Sequence, residues 1–182
     1  MSLKSKKILI SGHNGFKGSW LCCFLERAGA EVYGVSQSPD GRNVIWKFFD
    51  DPNKIKSYEV DVTNNISLSK IIADVQPEVI VHLAAQPLVL ESYRDPLETI
   101  NSNVMGTASI LMSAARSGSV RLFLNITTDK VYRNFENKMA FSEEDQLGGL
   151  DPYSASKSCA DIIGFSFYKS FLEELGISVL NL

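Results

Sequence analysis

Tyr153 and Lys157, four residues apart, are the side chains in this sequence best suited to proton transfer. Asp151 is a predicted helix N-cap and Pro152 suits the first helical position, so the pair is expected one turn apart on one helix face. Lowering the pKa of a phenol from about 10 to about 7 requires about 4 kcal/mol. A positive charge about 4 Å away contributes roughly that amount at an effective dielectric constant near 20. Because Y-x-x-x-K alone is a weak pattern, a surface tyrosine and lysine remain the alternative.

A glycine-rich segment after the first predicted strand is typical of a dinucleotide-binding loop. Gly12, Gly15 and Gly18 follow the apolar run at 7–11 in the spacing G-x-x-G-x-x-G and open a helix. The first glycine allows a tight turn, the second lets a pyrophosphate approach the backbone, and the third allows close packing of helix and strand. A simple turn is the alternative, but the strand-loop-helix context is present. The cofactor-binding residues predicted from this loop are Gly12, Asn14, Gly15, Phe16, Lys17 and Gly18.

Further cofactor-binding residues are expected where the other strands end, because ligands of a parallel sheet bind there. The second strand ends at Ser36 without an acidic residue to accept from a ribose 2′-hydroxyl, so NAD and NADP both stay open. Asp61 and Val62 end the third strand and are assigned to the adenine, with a turn-capping Asp61 as the alternative. The fourth strand holds His82, interpreted as structural. It leads to the predicted cofactor-binding residues Leu83, Ala84, Ala85 and Gln86.

The elements that position these residues are strands alternating with helices. Apolar runs predict strands at 7–11, 31–35, 57–61, 79–83, 121–126 and 177–182, and helical periodicity predicts helices at 16–28, 67–75, 97–117 and 152–175. The first helix is expected to carry Trp20, Leu21, Phe24, Leu25 and Ala28 on one apolar face. Loops are expected at 84–96 and 133–150, and the apolar run at 46–49 is not assigned. The alternation predicts an α/β fold, a Rossmann-type doubly wound parallel sheet flanked by helices.

Composition excludes several classes of protein. The chain has 182 residues, 45% of them hydrophobic, which suits one globular α/β domain. A net charge of −3 without a basic run gives nucleic-acid binding no electrostatic support. No apolar stretch reaches membrane-spanning or signal-peptide length, so no membrane partner is expected. Cys22, Cys23 and Cys159 have neither disulfide nor metal-ligand spacing, which predicts buried thiols, a cytoplasmic protein and no metal.

These motifs resemble those of the extended short-chain dehydrogenase/reductase family. Within it, five segments are similar to CDP-glucose 4,6-dehydratases, in the expected order along essentially the whole chain: 12–20, 82–89, 103–107, 127–132 and 148–153. The glycine spacing and Y-x-x-x-K mark only the superfamily. The Gly-Phe-Lys-Gly-Ser-Trp and Thr-Asp-Lys runs are the narrower signals.

The resemblance implies a redox-neutral dehydration of a nucleotide sugar, with CDP-glucose as the expected substrate. Bound NAD⁺ would oxidise the hexose 4-hydroxyl, water would leave across C5–C6, and the hydride would return to C6. By this resemblance Tyr153 takes the 4-hydroxyl proton, and Lys157 lowers the tyrosine pKa and binds the nicotinamide ribose. Thr128 binds the 4-oxygen, and Asp129 protonates the departing 6-hydroxyl.

Two residues keep alternative interpretations. Lys130 stands where related dTDP-sugar dehydratases carry the acidic base for C5, so it is a catalytic candidate, but a lysine must lose its proton to serve. Asn103 is interpreted either as a cofactor-side residue near the catalytic tyrosine or as a satisfied polar group within its helix. A polar loop without chemistry is the alternative for residues 127–130.

The resemblance also sets expectations for the whole chain. Residues 1–182 are expected to form the dinucleotide-binding domain, without the C-terminal part that grips the nucleotide of the substrate. We therefore expect weak dinucleotide binding and little dehydratase activity. A homodimer is expected through the helices at 97–117 and 152–175. The competing functions are a sugar-nucleotide epimerase or reductase of the same superfamily and a non-catalytic dinucleotide-binding module.

Overall fold

A six-stranded parallel sheet forms the centre of the computed structural model, which describes residues 3–38, 55–135 and 140–182. Its strands run in the order β3-β2-β1-β4-β5-β6, and every neighbouring pair is parallel. In chain order they are β1 (Lys7–Ser11), β2 (Glu31–Ser36), β3 (Lys56–Glu59), β4 (Val79–His82), β5 (Leu122–Asn125) and β6 (Ser178–Asn181). The order turns back between β1 and β4, which is where a doubly wound sheet binds its ligand. The predicted fold class is confirmed.

Helices connect the strands. They are α1 (Phe16–Arg27), α2 (Asn65–Val75), α3 (Val89–Arg94), α4 (Pro96–Ile100), α5 (Gly106–Ser117) and α6 (Pro152–Phe167). A π-helical turn at Asn101–Met105 joins α4 to α5, and a second at Tyr168–Leu172 extends α6. The predicted helices at 97–117 and 152–175 are therefore each interrupted by a wider turn, which periodicity alone does not reveal.

Two further boundaries differ from prediction. The expected loop at 84–96 contains α3, a single short turn that begins without a side-chain cap and ends at Asp95, the cap of α4. The expected loop at 133–150 has no helix or strand in its described parts, 133–135 and 140–150, beyond a bridge between Tyr132 and Leu147. The apolar run at 46–49 lies outside the described residues.

The core divides between the two faces of the sheet. Leu9 packs on one face with side chains of α2 and α5, such as Leu68 and Ile110. Ile8 and Ile10 point to the other face, where Cys22 of α1 joins them. Alternation along β1 thus supplies both layers, as expected for a sheet covered on both sides.

Helix α1 corrects two sequence predictions. Trp20 and Phe24, expected on the apolar face with Leu21 and Leu25, are 49% and 66% exposed. The centroids of their two rings lie 6.4 Å apart. The buried residues of α1 are Gly18, Ser19 and Cys22, because the glycine loop brings that side of the helix against the sheet. The cysteines are free, but only Cys22 is buried, and Cys159 is exposed.

The described residues contain neither a membrane-spanning helix nor a cluster of metal-ligating side chains. Within the ranges given above, no helix is long and apolar enough to cross a membrane. The same ranges contain no group of three or more His, Cys, Asp or Glu side chains able to hold a metal ion.

Candidate cofactor and active site

A cavity of about 910 Å³ opens along the carboxyl ends of the central strands. Helix α1, β4 and α6 all direct residues into it, as the parallel arrangement requires. The predicted site residues that line it are Gly12, Asn14, Gly15, Phe16, Lys17, Gly18, Ser36, Val62, Leu83, Ala84, Ala85, Gln86, Tyr153 and Lys157. The structure thus brings most of the predicted residues around one space.

The glycine loop is tightly packed below this cavity. Gly12 has φ of +72°, and a Cβ there would lie 2.8 Å from Ala84 N. A Cβ on Gly18 would lie 2.1 Å from Gly12 O, so α1 can approach the loop only with glycine at this position. Helix α1 begins at Gly15 without a side-chain cap, and Phe16 and Lys17 of its first turn line the cavity. Free N–H groups at a helix N-terminus attract an anion such as a pyrophosphate.

His13 is a loop residue that sequence reasoning missed. Its ring is 2% exposed and hydrogen-bonds to Ser36 at 2.8 Å and to Ser57 at 2.7 Å, joining the loop to β2 and β3. A Cβ on Gly34 would lie 2.2 Å from this ring. Burial lowers the pKa of His13, and a hydrogen bond with the backbone of Val35 opposes this by a smaller amount. Gly34, inside an apolar strand, is the signal in the sequence that could have indicated a close neighbour.

Asp61 lies in an adjoining cavity of about 360 Å³, which shares Gln37 and Ser38 with the large one. Its carboxylate accepts hydrogen bonds from Thr63 N at 2.8 Å, Thr63 Oγ1 at 2.7 Å and Gln37 Nε2 at 2.6 Å. Burial favours the neutral carboxyl, but these hydrogen bonds outweigh it and hold the pKa of Asp61 below its ordinary value. Asp61 therefore caps its turn, which was the alternative interpretation, and it also stands at the cavity edge, so its assignment to the adenine stays a prediction.

Helix α6 presents the tyrosine and lysine as predicted. Asp151 is its N-cap and accepts from Ser154 N at 3.0 Å, with Pro152 at the first helical position. Lys157 is buried and its Nζ donates to Ile126 O at 2.9 Å. Burial lowers the pKa of Lys157 to about 8 and Lys17 adds to this effect.

The pKa of Tyr153 is raised in this structure, whereas the sequence led us to expect that Lys157 lowers it. The value lies above that of an ordinary phenol, first because the ring is partly buried and also because Asp129 and Asp151 are nearby. A hydrogen bond with Thr128 opposes this rise. Lys157 is not among the groups that shift the pKa of Tyr153 here, because its ammonium group is directed at the backbone after β5. The predicted lowering of the Tyr153 pKa by Lys157 stays a prediction.

Thr128, Asp129 and Lys130 form the start of a short 3-10 turn, Asp129–Val131, capped by Thr128. Thr128 Oγ1 donates to Asp129 Oδ1 at 3.1 Å, and the Thr128 side chain also lowers the pKa of Tyr153. Asp129 and Lys130 are exposed and do not line the cavity as described. The structure thus brings Thr128 to Tyr153 and leaves Asp129 and Lys130 at the solvent side of the same turn.

A buried chain of hydrogen bonds connects the glycine loop to α5. His82 lies 2.6 Å from Ser11 Oγ through Nδ1 and 3.0 Å from Thr107 Oγ1 through Nε2. Thr107 Oγ1 donates to Asn103 O at 2.6 Å, so it accepts from His82, and Nε2 carries the proton. Nδ1 then accepts from Ser11, whose oxygen also accepts from the two backbone N–H groups that follow β4. Burial, assisted by Lys157, lowers the pKa of His82 to about 3, so the ring is neutral.

Asn103 does not line the cavity, so the structure favours the interpretation of a satisfied polar group over that of a cofactor contact. The side chain is 1% exposed. Its Oδ1 accepts from Gln86 N at 2.7 Å, and its Nδ2 donates to Gln86 O at 3.1 Å and to Ser156 Oγ at 2.8 Å. Ser156 Oγ in turn donates to Tyr153 O at 2.7 Å. Asn103 therefore holds a cavity loop and the first turn of α6 in place.

Comparison with known protein families identifies the chain's relationship. The model of the GDP-mannose 4,6 dehydratase family matches residues 9–180. The chain belongs to this family. It is 38% identical over 168 residues to the CDP-glucose 4,6-dehydratase of Salmonella typhimurium, covering 92% of this chain and 47% of that protein. It is 26% identical over 174 residues to a probable dTDP-glucose 4,6-dehydratase of Sinorhizobium fredii, covering 91% of this chain and 50% of that protein. The chain thus spans about half the length of these relatives.

Solved structures share the fold of this family member. The UDP-glucose 4-epimerase of Thermus thermophilus in complex with NAD has a TM-score of 0.82 at 22% identity and covers 96% of this chain and 53% of its own. DesIV, a dTDP-glucose 4,6-dehydratase of Streptomyces venezuelae with NAD bound, has a TM-score of 0.83 at 23% identity, covering 96% and 54%. These likenesses establish the architecture.

Proposed function

We propose that this chain is the cofactor-binding half of an NAD-dependent nucleotide-sugar 4,6-dehydratase that acts on CDP-glucose in the cytoplasm. The observation that carries the proposal is that Tyr153 and Lys157 of α6 line the same cavity as the uncapped start of α1. A proton-transfer group thus stands next to an anion-binding helix terminus. The 38% identity to a CDP-glucose 4,6-dehydratase supports the choice of substrate.

The residues of the cavity fit a dinucleotide. The first turn of α1 would hold the pyrophosphate, since its N–H groups lack side-chain caps and no Cβ at Gly12 or Gly15 stands in the way. Asp61 would face the adenine, and Ser36 the adjoining ribose. Lys157 would face the nicotinamide ribose. When bound, NAD⁺ supplies a hydride acceptor for the sugar C4–H and later the donor for C6.

The chain's own residues would move the protons of the reaction. Tyr153 would remove the 4-hydroxyl proton while Thr128 donates to the 4-oxygen, because Thr128 is close enough to act on the pKa of Tyr153. Asp129, adjacent to Thr128, would protonate the departing 6-hydroxyl. Lys130 belongs to the same turn and is the candidate base for C5, provided that it is neutral when it acts.

Tracing the sugar's C4 hydrogen tests the proposal and its nearest competitor, a sugar-nucleotide 4-epimerase. CDP-glucose deuterated at C4 is incubated with NAD⁺ and the 182-residue chain, and in parallel with the complete product of its gene. We expect a 4-keto-6-deoxy product with deuterium at C6, formed at a low rate by the 182-residue chain. A 4-epimer that keeps deuterium at C4 would establish an epimerase. Saturable NAD⁺ binding without any conversion by the complete product would indicate a non-catalytic module.

A further inference from the structure

Asp161 lies one helical turn after Lys157 on α6, in the i, i+4 relation that places two side chains on the same face. It is half-buried, and Asn181 at the end of β6 donates to it twice through Nδ2, at 3.0 Å to the backbone oxygen and at 3.1 Å to Oδ1. The carboxylate is therefore held against the sheet and not free in solvent.

Asn125 fixes the orientation of Asn181. Its Nδ2 donates to Asn181 Oδ1 at 3.0 Å and to Ala160 O at 3.2 Å. Since an amide nitrogen only donates, the oxygen of Asn181 faces Asn125 and its nitrogen faces Asp161. The two asparagines are register partners on β5 and β6, and a Cβ on Gly164 would lie 2.5 Å from Asn181 Oδ1. The space for this asparagine pair thus depends on the glycine of α6.

The ammonium of Lys157 arrives at the same strand end. Its Nζ donates to Ile126 O, the carbonyl immediately after Asn125. The charged and titratable groups that act on Lys157 come from three elements: Lys17 of α1 repels it, Asp161 of α6 attracts it, and His82 of β4 is neutral. Tyr153, one turn earlier on α6, is the remaining titratable neighbour on that helix and is also neutral at pH 7. Asp161 is the carboxylate that opposes both burial and Lys17 at this lysine.

We propose that Asp161, oriented by Asn125 and Asn181 on the same face of α6 as Lys157, is a positioning residue that keeps Lys157 charged at neutral pH. The role of Lys157 in cofactor binding rests on the proposed function, whereas its charge state can be measured without cofactor or sugar. Nothing in the Y-x-x-x-K spacing includes Asp161, and its assignment depends on the contact with β6.

Amine labelling tests this proposal directly. The 182-residue chain and Asp161→Asn are treated with an acylating ester from pH 6 to pH 10, and the labelling of each lysine is followed by mass spectrometry. Asparagine keeps the size of the side chain and can still accept from Asn181. For the unsubstituted chain the labelling midpoint of Lys157 is expected near pH 8, where burial places its pKa. In Asp161→Asn the midpoint falls, and labelling at pH 7 rises about fivefold because more of the amine is neutral. Lys70, exposed on α2, serves as the internal reference.

Two further variants keep the test decisive. Lys17→Gln removes the like charge and must move the Lys157 midpoint the opposite way, upward. Asp161→Glu restores the charge and must return the midpoint towards that of the unsubstituted chain. An unchanged or higher midpoint in Asp161→Asn overturns the proposal, and a lower midpoint that Asp161→Glu does not correct overturns it as well.

If Asp161→Asn does not fold, Asn181→Leu, which frees the Asp161 side chain, must lower the midpoint, and an unchanged midpoint there overturns the proposal. None of these outcomes depends on whether deuterium from C4 appears at C6.

Discussion

Burial moves the pKa values of Tyr153 and Lys157 in the directions that favour uncharged side chains. The phenol lies above its ordinary value and the ammonium falls to about 8. A base assembled only from these two groups would be weakly ionised at pH 7. The proposed proton transfer therefore requires further positive charge in the cavity, which an oxidised nicotinamide carries.

Tyr153 should thus titrate as a phenol that resists ionisation. The difference in absorbance at 295 nm between the chain and Tyr153→Phe, followed with pH, reports this single tyrosine among six. We expect its midpoint above about 10 without ligand and a lower midpoint with NAD⁺. A midpoint already near 7 without ligand would support the original expectation that Lys157 lowers it.

His82 makes the fold sensitive to acid. Its folded-state pKa of about 3 lies below the value of about 6.5 in the unfolded chain, so the unfolded state binds the proton first as pH falls. Its contribution to stability is complete above pH 6.5 and is lost between there and about pH 3. Between pH 6.5 and pH 5 the loss from His82 is about 2 kcal/mol. Urea unfolding at pH 6.5 and pH 5 gives the free energy of unfolding of the chain and of His82→Gln. We expect this free energy to fall less between the two pH values in the variant than in the unsubstituted chain. An equal fall in both proteins would show that groups other than His82 cause the acid sensitivity.

The elements explain how distant residues reach the cavity. The π-helical turn at Asn101–Met105 carries Asn103, which holds Gln86 and Ser156, while His82 connects that turn to the glycine loop. Two walls of the cavity are thus joined through one buried set of hydrogen bonds. Loss of any hydrogen bond in this set would leave a buried polar group without a partner, which costs about 1–3 kcal/mol of stability.

Thr107 tests this connection without touching the cavity. Thr107→Val keeps the shape but removes the hydroxyl between His82 and Asn103, so NAD⁺ affinity should fall several-fold together with stability. Thr107→Ser restores the hydroxyl and should restore both. Calorimetric titration with NAD⁺, well below the melting temperature of each variant, separates binding from unfolding. A Thr107→Val variant that is destabilised yet binds NAD⁺ normally would show that the chain of hydrogen bonds serves the fold alone.

Much of the fold and part of the site could be predicted from the sequence. The strand ends were predictable because β1 and β4 are continuous apolar runs followed by small or polar residues. Asp151 and Pro152 signalled the start of α6, since capping is a local property. The exposure of Trp20 and Phe24 could not be predicted, because the packing of Gly18 against Gly12 and not hydrophobicity sets the face of α1. His13 joins its loop to β2 and β3, and Asp161 joins α6 to β6, and periodicity does not report such contacts between elements.

For the whole molecule, the apolar surface of α4 and α6 fits the homodimer that the resemblance leads us to expect. Leu97 and Ile100 are 77% and 44% exposed on α4, and Ile162 and Phe165 are 52% and 62% exposed on α6. Apolar side chains grouped in this way on neighbouring helices suit a partner surface. A second copy would cover them.

A charge on this surface should separate the dimer. If the unsubstituted chain sediments as the expected dimer, Phe165→Glu should sediment as a monomer. Phe24→Glu, a similarly exposed phenylalanine on α1, should sediment like the unsubstituted chain. Sedimentation velocity over a range of concentrations distinguishes the two species. A monomer for the unsubstituted chain would remove the proposed interface from this half of the protein.

Titration of NAD⁺ into the 182-residue chain tests the central claim most directly. Isothermal calorimetry should show weak, saturable binding of one NAD⁺ per chain. Gly18→Ala should abolish it, because the added Cβ would lie 2.1 Å from Gly12 O and displace α1 from the loop. Gly118→Ala, at the end of α5 with φ of +70° and nothing near its Cβ, should lose stability and keep the binding. Absence of saturable NAD⁺ binding by the folded chain, or equal binding by Gly18→Ala, would contradict a cofactor site at this loop.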